Sequence, residues 1–376
     1  MRNVLVIGAG NIGRIITKML AQTGDYYVTV ADRDPKSLSC LRDQFNVTTV
    51  ETDISDDAAL DKLMQEQYAV LSAAPFSLTR KVAEAAARAK IHYLDLTEDV
   101  ATTRLVKELA EGAQTAFIPQ CGLAPGFIAI VANDLAKQFD TLDTVRMRVG
   151  ALPQFPSNAL NYNLTWSTDG VINEYVEPCE AIVDSRIQQV PAMEEREEFS
   201  LDGVRYEAFN TSGGLGTLCE SLHGRVRTLN YRSIRYPGHC AIMKALLNDL
   251  RLRDRRDVLK DILENALPTT MQDVVIIFVT VSGMRDGVLT QQTYAHKVYA
   301  EKVDGELRSA IQITTASGIC TVLDLLASGS LGQRGFVRQE DIPLEDFLAN
   351  RFAGPYRQSD VGSSGRTSAI RVELAA

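Results

Sequence analysis

Asn3–Ile7 opens the chain as a continuous apolar run, the pattern of a strand buried on both faces of a sheet. After Gly8 the pattern changes to Ile15, Ile16, Met19 and Leu20, the three-and-four spacing of one helix face. A second strand, Tyr27–Ala31, ends at Asp32-Arg33-Asp34-Pro35, and a helix around Ser37–Gln44 leads to a third strand over Val47–Val50. Ala69–Ala73 reads as a fourth strand, Leu78–Ala89 as a helix, and His92–Leu96 and Thr115–Ile118 as two further strands. This alternation predicts an α/β fold, a parallel sheet with helices on both faces.

Beyond Gly126 strand signals dominate. Val145–Gly150 alternates, and Leu164–Ser167, Tyr206–Phe209 and Val226–Tyr231 look similar. Helical spacing returns over Ala241–Ala266, where the mixed-sign run Arg251–Asp257 reads as a solvated face rather than a phosphate site. Val274–Val281 and His296–Val303 form a hairpin-like strand pair, and Ser309–Leu326 reads as a buried helix. Near the C-terminus, Gly362–Arg366 reads as a mobile linker and Ile370–Leu374 as a candidate strand.

Composition narrows the function classes. Acids outnumber bases 48 to 39 and the formal charge is −9, which argues against a broad nucleic-acid surface. The longest apolar run, Val274–Val281, falls far short of the ~20 residues that span a bilayer, so no membrane partner is expected. The cysteines (Cys40, Cys121, Cys179, Cys219, Cys240, Cys320) form no C-x-x-C pair, so neither a metal site nor a disulfide framework is indicated. The N-terminal apolar stretch is too short for a signal peptide, and a cytoplasmic location is expected.

The strongest local motif is Gly8-Ala9-Gly10-Asn11-Ile12-Gly13, a G-x-G-x-x-G that follows a buried strand and opens a helix. With Asp32 at the end of the next strand, this context is the dinucleotide-binding fingerprint. Gly8 permits the tight turn, Gly10 the backbone approach to the pyrophosphate, and Gly13 the close packing of helix on sheet. The free N–H groups of the helix start, Asn11 and Ile12 among them, favour the anion. A carboxylate at Asp32 accepts from the ribose hydroxyls and repels a 2′-phosphate, favouring NAD; the neighbouring Arg33 keeps NADP open. Asp53 is expected near the adenine, and the Ala73-Ala74-Pro75-Phe76 turn near the nicotinamide ribose.

Further motifs follow: Ser72–Phe76 (SAAPF), His92–Asp99 (HYLDLTED), Cys121–Phe127 (CGLAPGF), Thr211–Gly216 (TSGGLG), Ile234–His239 (IRYPGH) and Val337–Ile342 (VRQEDI). With the glycine motif, they make the chain resemble the saccharopine dehydrogenase family, including its lysine 6-dehydrogenase branch, over nearly its whole length. The resemblance implies a Rossmann dinucleotide-binding domain (residues 1–126) interrupted by an α+β mixed-sheet substrate and dimerisation domain (127–308). Residues 309–376 return to the first domain. It also implies hydride removal from a carbon bearing an amine and hydrolysis of the resulting imine. Saccharopine would give glutamate and 2-aminoadipate semialdehyde; lysine would give ammonia and the same semialdehyde. A third reading, an NAD-binding sensor without turnover, predicts no dedicated substrate domain. Dimerisation through the inserted domain is expected, two-fold dimers being the commonest oligomers.

Such chemistry needs a base for the amine proton and guanidinium forks for carboxylates. Candidate bases are Asp95, Glu98 and His239, each with a structural alternative: a strand-edge or capping role for Asp95, an exposed loop acid at Glu98, a satisfied histidine at His239. Arg235 is carried over from the family's arginine-tyrosine-x-glycine pattern, here Arg235-Tyr236-Pro237-Gly238, as the carboxylate anchor. Saccharopine carries three carboxylates, so Arg225, Arg227, Arg232 and Lys244 are candidate second cations. Asn161, Tyr162, Trp166 and Thr168 form a polar-aromatic cluster, with Trp166 equally readable as core. Cys121 faces the expected substrate crevice as a lining residue, not a nucleophile. The fungal glutamate-forming members carry an acid where this chain has Ala124.

Overall fold

The computed structural model describes residues 1–303 and 305–357, which divide into two units, residues 1–130 with 312–357, and residues 131–311. In the first unit, strands β1 (Arg2–Ile7), β2 (Tyr26–Asp32), β3 (Thr48–Glu51), β4 (Ala69–Ser72), β5 (His92–Asp95) and β6 (Ala116–Ile118) alternate with helices. The helices are α1 (Asn11–Ala21), α2 (Pro35–Gln44), α3 (Asp57–Met64), α4 (Phe76–Ala89) and α5 (Val100–Ala110). The strands pair in parallel in the order β3-β2-β1-β4-β5-β6. This is the Rossmann order that the apolar runs predict, and its switch point lies between β1 and β4. Leu5, Val70, Tyr93 and Phe117 from the strands pack with Leu60, Met64, Val82 and Val106 from α3, α4 and α5.

Helices α3 and α5 are absent from the apolar-period reading. Both are started by an aspartate: Asp56 accepts from the backbone N–H groups of Ala58 and Ala59, and Asp99 from that of Thr102. Such caps satisfy donors that a helix start leaves open and stabilise by about 1 kcal/mol each.

The chain passes between the units within α6 (Phe127–Ala136), and the second unit begins with β7 (Thr141–Pro153) and α7 (Thr168–Val176). Strands β8 (Cys179–Val183), β9 (Arg186–Val190), β10 (Glu197–Leu201) and β11 (Val204–Asn210) follow. After α8 (Leu218–Leu222) come β12 (Val226–Arg235), α9 (His239–Lys244) and α10 (Arg256–Ala266). The long hairpin of β13 (Asp273–Arg285) and β14 (Val288–Tyr299) and the short pair β15 (Glu301–Val303) and β16 (Glu306–Arg308) complete the unit. The main sheet runs β10-β11-β12-β7-β13-β14 and is mixed: β12 and β7 are parallel, their other partners antiparallel. A second core lies where Tyr162, Tyr175, Phe209, Met243, Leu259 and Leu263 meet.

Three expectations are corrected here. Leu164–Ser167 is not a strand: Leu164 makes one isolated bridge to Thr269, and the Ser167 side chain accepts from Gly170 N–H to start α7. The Ala241–Ala266 helix is broken, passing from α9 into a π-helical turn (Ala245–Asp249) and a 3-10 turn before α10. Arg251 takes a left-handed backbone (φ 55°), which no helix can carry through. The partner of β13 starts at Val288, not His296, because Asp286 (φ 52°) and Gly287 (φ 75°) form a tight turn. Gly362–Arg366 and Ile370–Leu374 lie outside the described residues.

The chain returns to the first unit within α11 (Ala310–Ala327), whose first N–H groups, from Ala310 and Ile311, reach the buried Asp273 carboxylate. By length and composition α11 could cross a bilayer, but it is mostly buried inside the protein as a core helix. Farther along, Asp324 accepts from Tyr26 Oη (2.6 Å), Asn350 Nδ2 (2.9 Å) and Arg351 Nη2 (2.7 Å), fastening the C-terminal segment to β2. The strand β17 (Gly335–Phe336) extends the sheet beyond β6, and α12 (Leu344–Ala349) follows.

Candidate functional site

The first unit assembles a cradle at the C-terminal ends of β1, β2 and β4. Gly8 turns with φ 103°, and a Cβ there would stand 2.8 Å from the carbonyl oxygen of Ala73. The loop is tied to β2 through Asp32, whose Oδ2 accepts from Ala9 N–H (2.6 Å) and whose Oδ1 accepts from Asp34 N–H (2.9 Å). Each carboxylate oxygen retains a lone pair for a further donor. Helix α1 starts at Gly10 with no side-chain cap, so the N–H groups of its first turn, at Asn11, Ile12 and Gly13, are available to an anion.

Uncapped helix start, strand-end carboxylate and glycine turn sit at the switch point, and together they fit a nicotinamide dinucleotide. Arg33 is exposed beside Asp32. Ala73 is half-buried against Gly8, Pro75 precedes α4, and Phe76 is its first residue. Asp53 is exposed; its carboxylate accepts from Ser55 N–H (2.9 Å), the bond that lowers its pKa most.

Asp95 and Cys121 are enclosed. The Asp95 carboxylate is fully buried and accepts from Tyr93 Oη (2.6 Å), Thr97 N–H (3.0 Å) and Gln120 N–H (2.8 Å). Burial pushes its pKa up to about 6. With three donors engaged it joins the end of β5 to the 118–121 loop. The Cys121 thiol is buried against the Ile118 carbonyl and accepts from Gln339 Nε2. Glu98, in the loop after β5, is half-buried.

In the second unit, Arg235 ends β12 with 3% exposure. Its Nε–H donates to Tyr175 Oη (2.7 Å) and its Nη1 to the Ile234 carbonyl (2.8 Å). The guanidinium lies over the rings of Tyr162 (5.2 Å) and Tyr175 (5.6 Å). The Tyr162 hydroxyl is buried and has no hydrogen-bond partner among the described residues. His239, the first residue of α9, is enclosed between Tyr175 Oη (3.0 Å from Nε2) and the Leu160 carbonyl (2.9 Å from Nδ1). Burial and the Arg235 charge depress its pKa to about 3. Both ring nitrogens thus have hydrogen-bond partners within the second unit.

Glu174 and Tyr175 were not foreseen from the sequence; they stand on α7, in a stretch that shows no strong apolar period. Glu174 Oε2 lies 3.8 Å from Arg235 Nη2 and accepts from Ser233 Oγ (3.4 Å). Burial pushes the Glu174 pKa from 4.5 up to about 7, against the pull of Arg235. A raised carboxyl pKa gives stability that is full below the unfolded pKa and is lost as pH rises through the folded one. The Glu174→Gln variant, which does not titrate, is therefore expected to gain stability on the wild type between pH 4.5 and about 7. The gain should be on the order of 1.4 kcal/mol per pH unit at most. Melting curves of both proteins across that window check this, and a pH-independent difference overturns it.

The remaining expected residues fall around this core. Asn161 (φ 51°) reaches the Pro237 carbonyl with Nδ2, Tyr236 donates to the Pro153 carbonyl (2.9 Å), Trp166 packs half-buried on the core, and Thr168 is buried in the first turn of α7. Glu207 accepts from Gly238 N–H and Cys240 N–H and so holds the turn that delivers His239. The expected second cations are engaged with acids: Arg227 with Asp143, Arg232 with Glu195 and Glu197, and Lys244 with Glu194. Arg225 is exposed. Among the described residues no cluster of histidine, cysteine or acid side chains could hold a metal ion.

Family models match both units. The model for the saccharopine dehydrogenase NADP binding domain matches residues 4–117, and that for the saccharopine dehydrogenase C-terminal domain matches residues 122–355. The saccharopine dehydrogenase (NADP+, L-glutamate-forming) of Saccharomyces cerevisiae is 24% identical over 271 residues, 67% of this chain and 59% of the yeast protein. The mitochondrial alpha-aminoadipic semialdehyde synthase of Mus musculus is 22% identical over 196 residues, 50% of this chain and 21% of the mouse protein. The chain thus spans less than two thirds of either relative. Among solved structures, apo saccharopine dehydrogenase (L-Glu forming) from Saccharomyces cerevisiae superposes with a TM-score of 0.78 at 18% identity. That match covers 93% of this chain and 96% of the yeast one, a likeness of fold.

Proposed function

The chain belongs to the saccharopine dehydrogenase family, and we propose that it oxidises saccharopine at its secondary amine with NAD as hydride acceptor. Water then hydrolyses the imine to glutamate and 2-aminoadipate semialdehyde. The observation that carries this reading is Arg235, a buried, permanently charged guanidinium set between two tyrosine rings on the second unit. Glu174 faces it at 3.8 Å without a hydrogen bond, and a guanidinium held this way is suited to a carboxylate of the substrate. The names of the fungal relatives, saccharopine dehydrogenases (NADP+, L-glutamate-forming), support the substrate class.

The residues divide the work by unit. In the second, Arg235 holds a carboxylate of the amino acid and fixes its orientation. In the first, the glycine turn, the α1 N-terminus and Asp32 hold the dinucleotide, which supplies the hydride acceptor when bound. Asp95 and His239 being enclosed, Glu98 takes the amine proton as the carbon loses hydride. A coupled assay of NADH formation with saccharopine and with lysine tests the reading. Turnover of saccharopine well above lysine supports it; the reverse overturns it.

One observation favours oxidative deamination of lysine as a second reading. Arg227, Arg232 and Lys244 are already paired with acids, and lysine, with a single carboxylate, needs no cation beyond Arg235.

The cofactor proposal rests on Asp32, although both the matching family model and the yeast relative are described by NADP. A fixed carboxylate at the end of β2 disfavours a 2′-phosphate, and Arg33 stands ready to bind one if that carboxylate is removed. Asp32→Ala is expected to raise the KM for NAD and lower that for NADP, shifting the preference ratio by roughly tenfold or more. Steady-state kinetics with both cofactors measure the ratio; an unchanged ratio would show that Asp32 does not face the ribose.

A further inference from the structure

We infer that Tyr175 and His239 are positioning residues, a hydrogen-bonded relay that holds the Arg235 guanidinium in register for a substrate carboxylate. This rests on the carboxylate-anchor reading of Arg235 and assigns a role to two residues beyond it.

The direction of every bond in the relay follows from its two ends. A guanidinium only donates, so Arg235 Nε–H gives its hydrogen to Tyr175 Oη across 2.7 Å. The phenol's own proton must then point elsewhere, and the acceptor within reach is His239 Nε2 at 3.0 Å. That nitrogen accepts only when bare, which places the ring proton on Nδ1. A carbonyl only accepts, and Leu160 O lies 2.9 Å from Nδ1. The chain Arg235 → Tyr175 → His239 → Leu160 therefore has one polarity, and His239 has one tautomer and no charge. The depressed pKa of His239 agrees with this, with Arg235 on one side and Tyr162, Tyr175 and Phe209 around the ring. Aligned bonds polarise one another, so Tyr175 becomes a stronger acceptor toward the guanidinium than an isolated phenol.

The relay takes Nε of Arg235, and Nη2 is the nitrogen left without a hydrogen bond among the described residues. Nε is fixed by Tyr175 and Nη1 by the Ile234 carbonyl, which together define the guanidinium plane. Nη2 is instead ion-paired with the Glu174 carboxylate at 3.8 Å. A planar fork held at two nitrogens is the preorganisation that bidentate carboxylate recognition requires. The backbone supports the same geometry, since Glu207 holds the Gly238 and Cys240 N–H groups and so fixes where His239 enters.

Three variants test the relay: Tyr175→Phe, His239→Gln and His239→Leu, with Arg235→Ala as reference. Tyr175→Phe removes the acceptor and is expected to raise the KM for the amino-acid substrate about tenfold, with kcat and the KM for NAD within about twofold. A glutamine at 239 can accept from Tyr175 and donate to Leu160, so His239→Gln should keep KM near that of the wild type, whereas His239→Leu should match Tyr175→Phe. The pH profile of kcat/KM should be the same in the wild type and in His239→Gln. Loss of an ionisation limb in His239→Gln would instead make His239 a base and overturn the inference. An effect of Arg235→Ala on KM with none from Tyr175→Phe overturns the relay alone. Silence of Arg235→Ala overturns the anchor reading beneath it. If Tyr175→Phe does not fold, the contrast between glutamine and leucine at 239 decides.

Discussion

Arg235→Ala is expected to lower kcat/KM for the amino-acid substrate by roughly 30- to 4,000-fold while leaving NAD affinity unchanged. The range follows from the loss of a buried, bidentate charged partner, about 2–5 kcal/mol. The size reflects where the guanidinium sits: with 3% exposure and two tyrosine faces around it, little water is available to replace it. Truncation also leaves Glu174 buried without its cation and Tyr175 without its donor, so a melting curve must accompany the kinetics. Dinucleotide binding is expected to be insensitive because it rests on the glycine turn, the α1 start and Asp32, none of which bonds to Arg235. A substrate effect below threefold in a folded variant would remove the carboxylate from Arg235. Arg232 provides the contrast. Glu195 and Glu197 already hold it, so Arg232→Ala should act on stability more than on KM. If lysine turnover proves the faster, the single anchor at Arg235 accounts for its one carboxylate.

The first unit was legible because its physics is local. A strand buried on both faces must be apolar throughout, and Val4–Ile7 and Ala69–Leu71 are. The glycine turn and Asp32 lie within one β-α-β unit, so their spacing alone predicts their meeting. Helices α3 and α5 escaped because their cue is one capping aspartate each, weaker than a periodic stripe. The second unit was legible only in outline. Its central pairing, β12 beside β7 in parallel, joins segments some eighty residues apart, and no run of residues announces such a pairing. Arg235 stood out only through the family's arginine-tyrosine-x-glycine pattern. Tyr175, which accepts its Nε bond, sits sixty residues earlier on a helix whose capping Ser167 ends the stretch that reads as a strand. Asp95 illustrates the opposite failure. A polar residue at the C-terminal end of a strand in a dinucleotide fold invites a catalytic role, yet here the carboxylate is buried and takes three donors, from Tyr93, Thr97 and Gln120. Spacing locates a side chain on an edge; it does not say how many backbone donors the next loop brings to it.

Gly10→Ala and Gly13→Ala are expected to separate what the glycine turn does for the fold from what it does for the dinucleotide. A Cβ on Gly13 would stand 1.8 Å from the carbonyl oxygen of Gly8, so α1 must move off the end of β1. That strain should cost about 3 kcal/mol of stability and, by displacing the helix N-terminus, nearly all dinucleotide affinity. Gly10 is different. It has φ −70° and ψ −167°, a conformation alanine adopts freely, and a Cβ there meets nothing within 4 Å. Stability in Gly10→Ala should therefore stay within about 0.5 kcal/mol of the wild type. The same methyl would project at the uncapped start of α1, where a pyrophosphate needs the backbone to come close. Its affinity for NADH should fall at least tenfold, by roughly 1.4 kcal/mol or more. Fluorescence titration with NADH and thermal melts of both variants measure the two effects independently. Unchanged NADH affinity in a stable Gly10→Ala protein would mean that no phosphate approaches this turn, and the dinucleotide would have to be placed elsewhere.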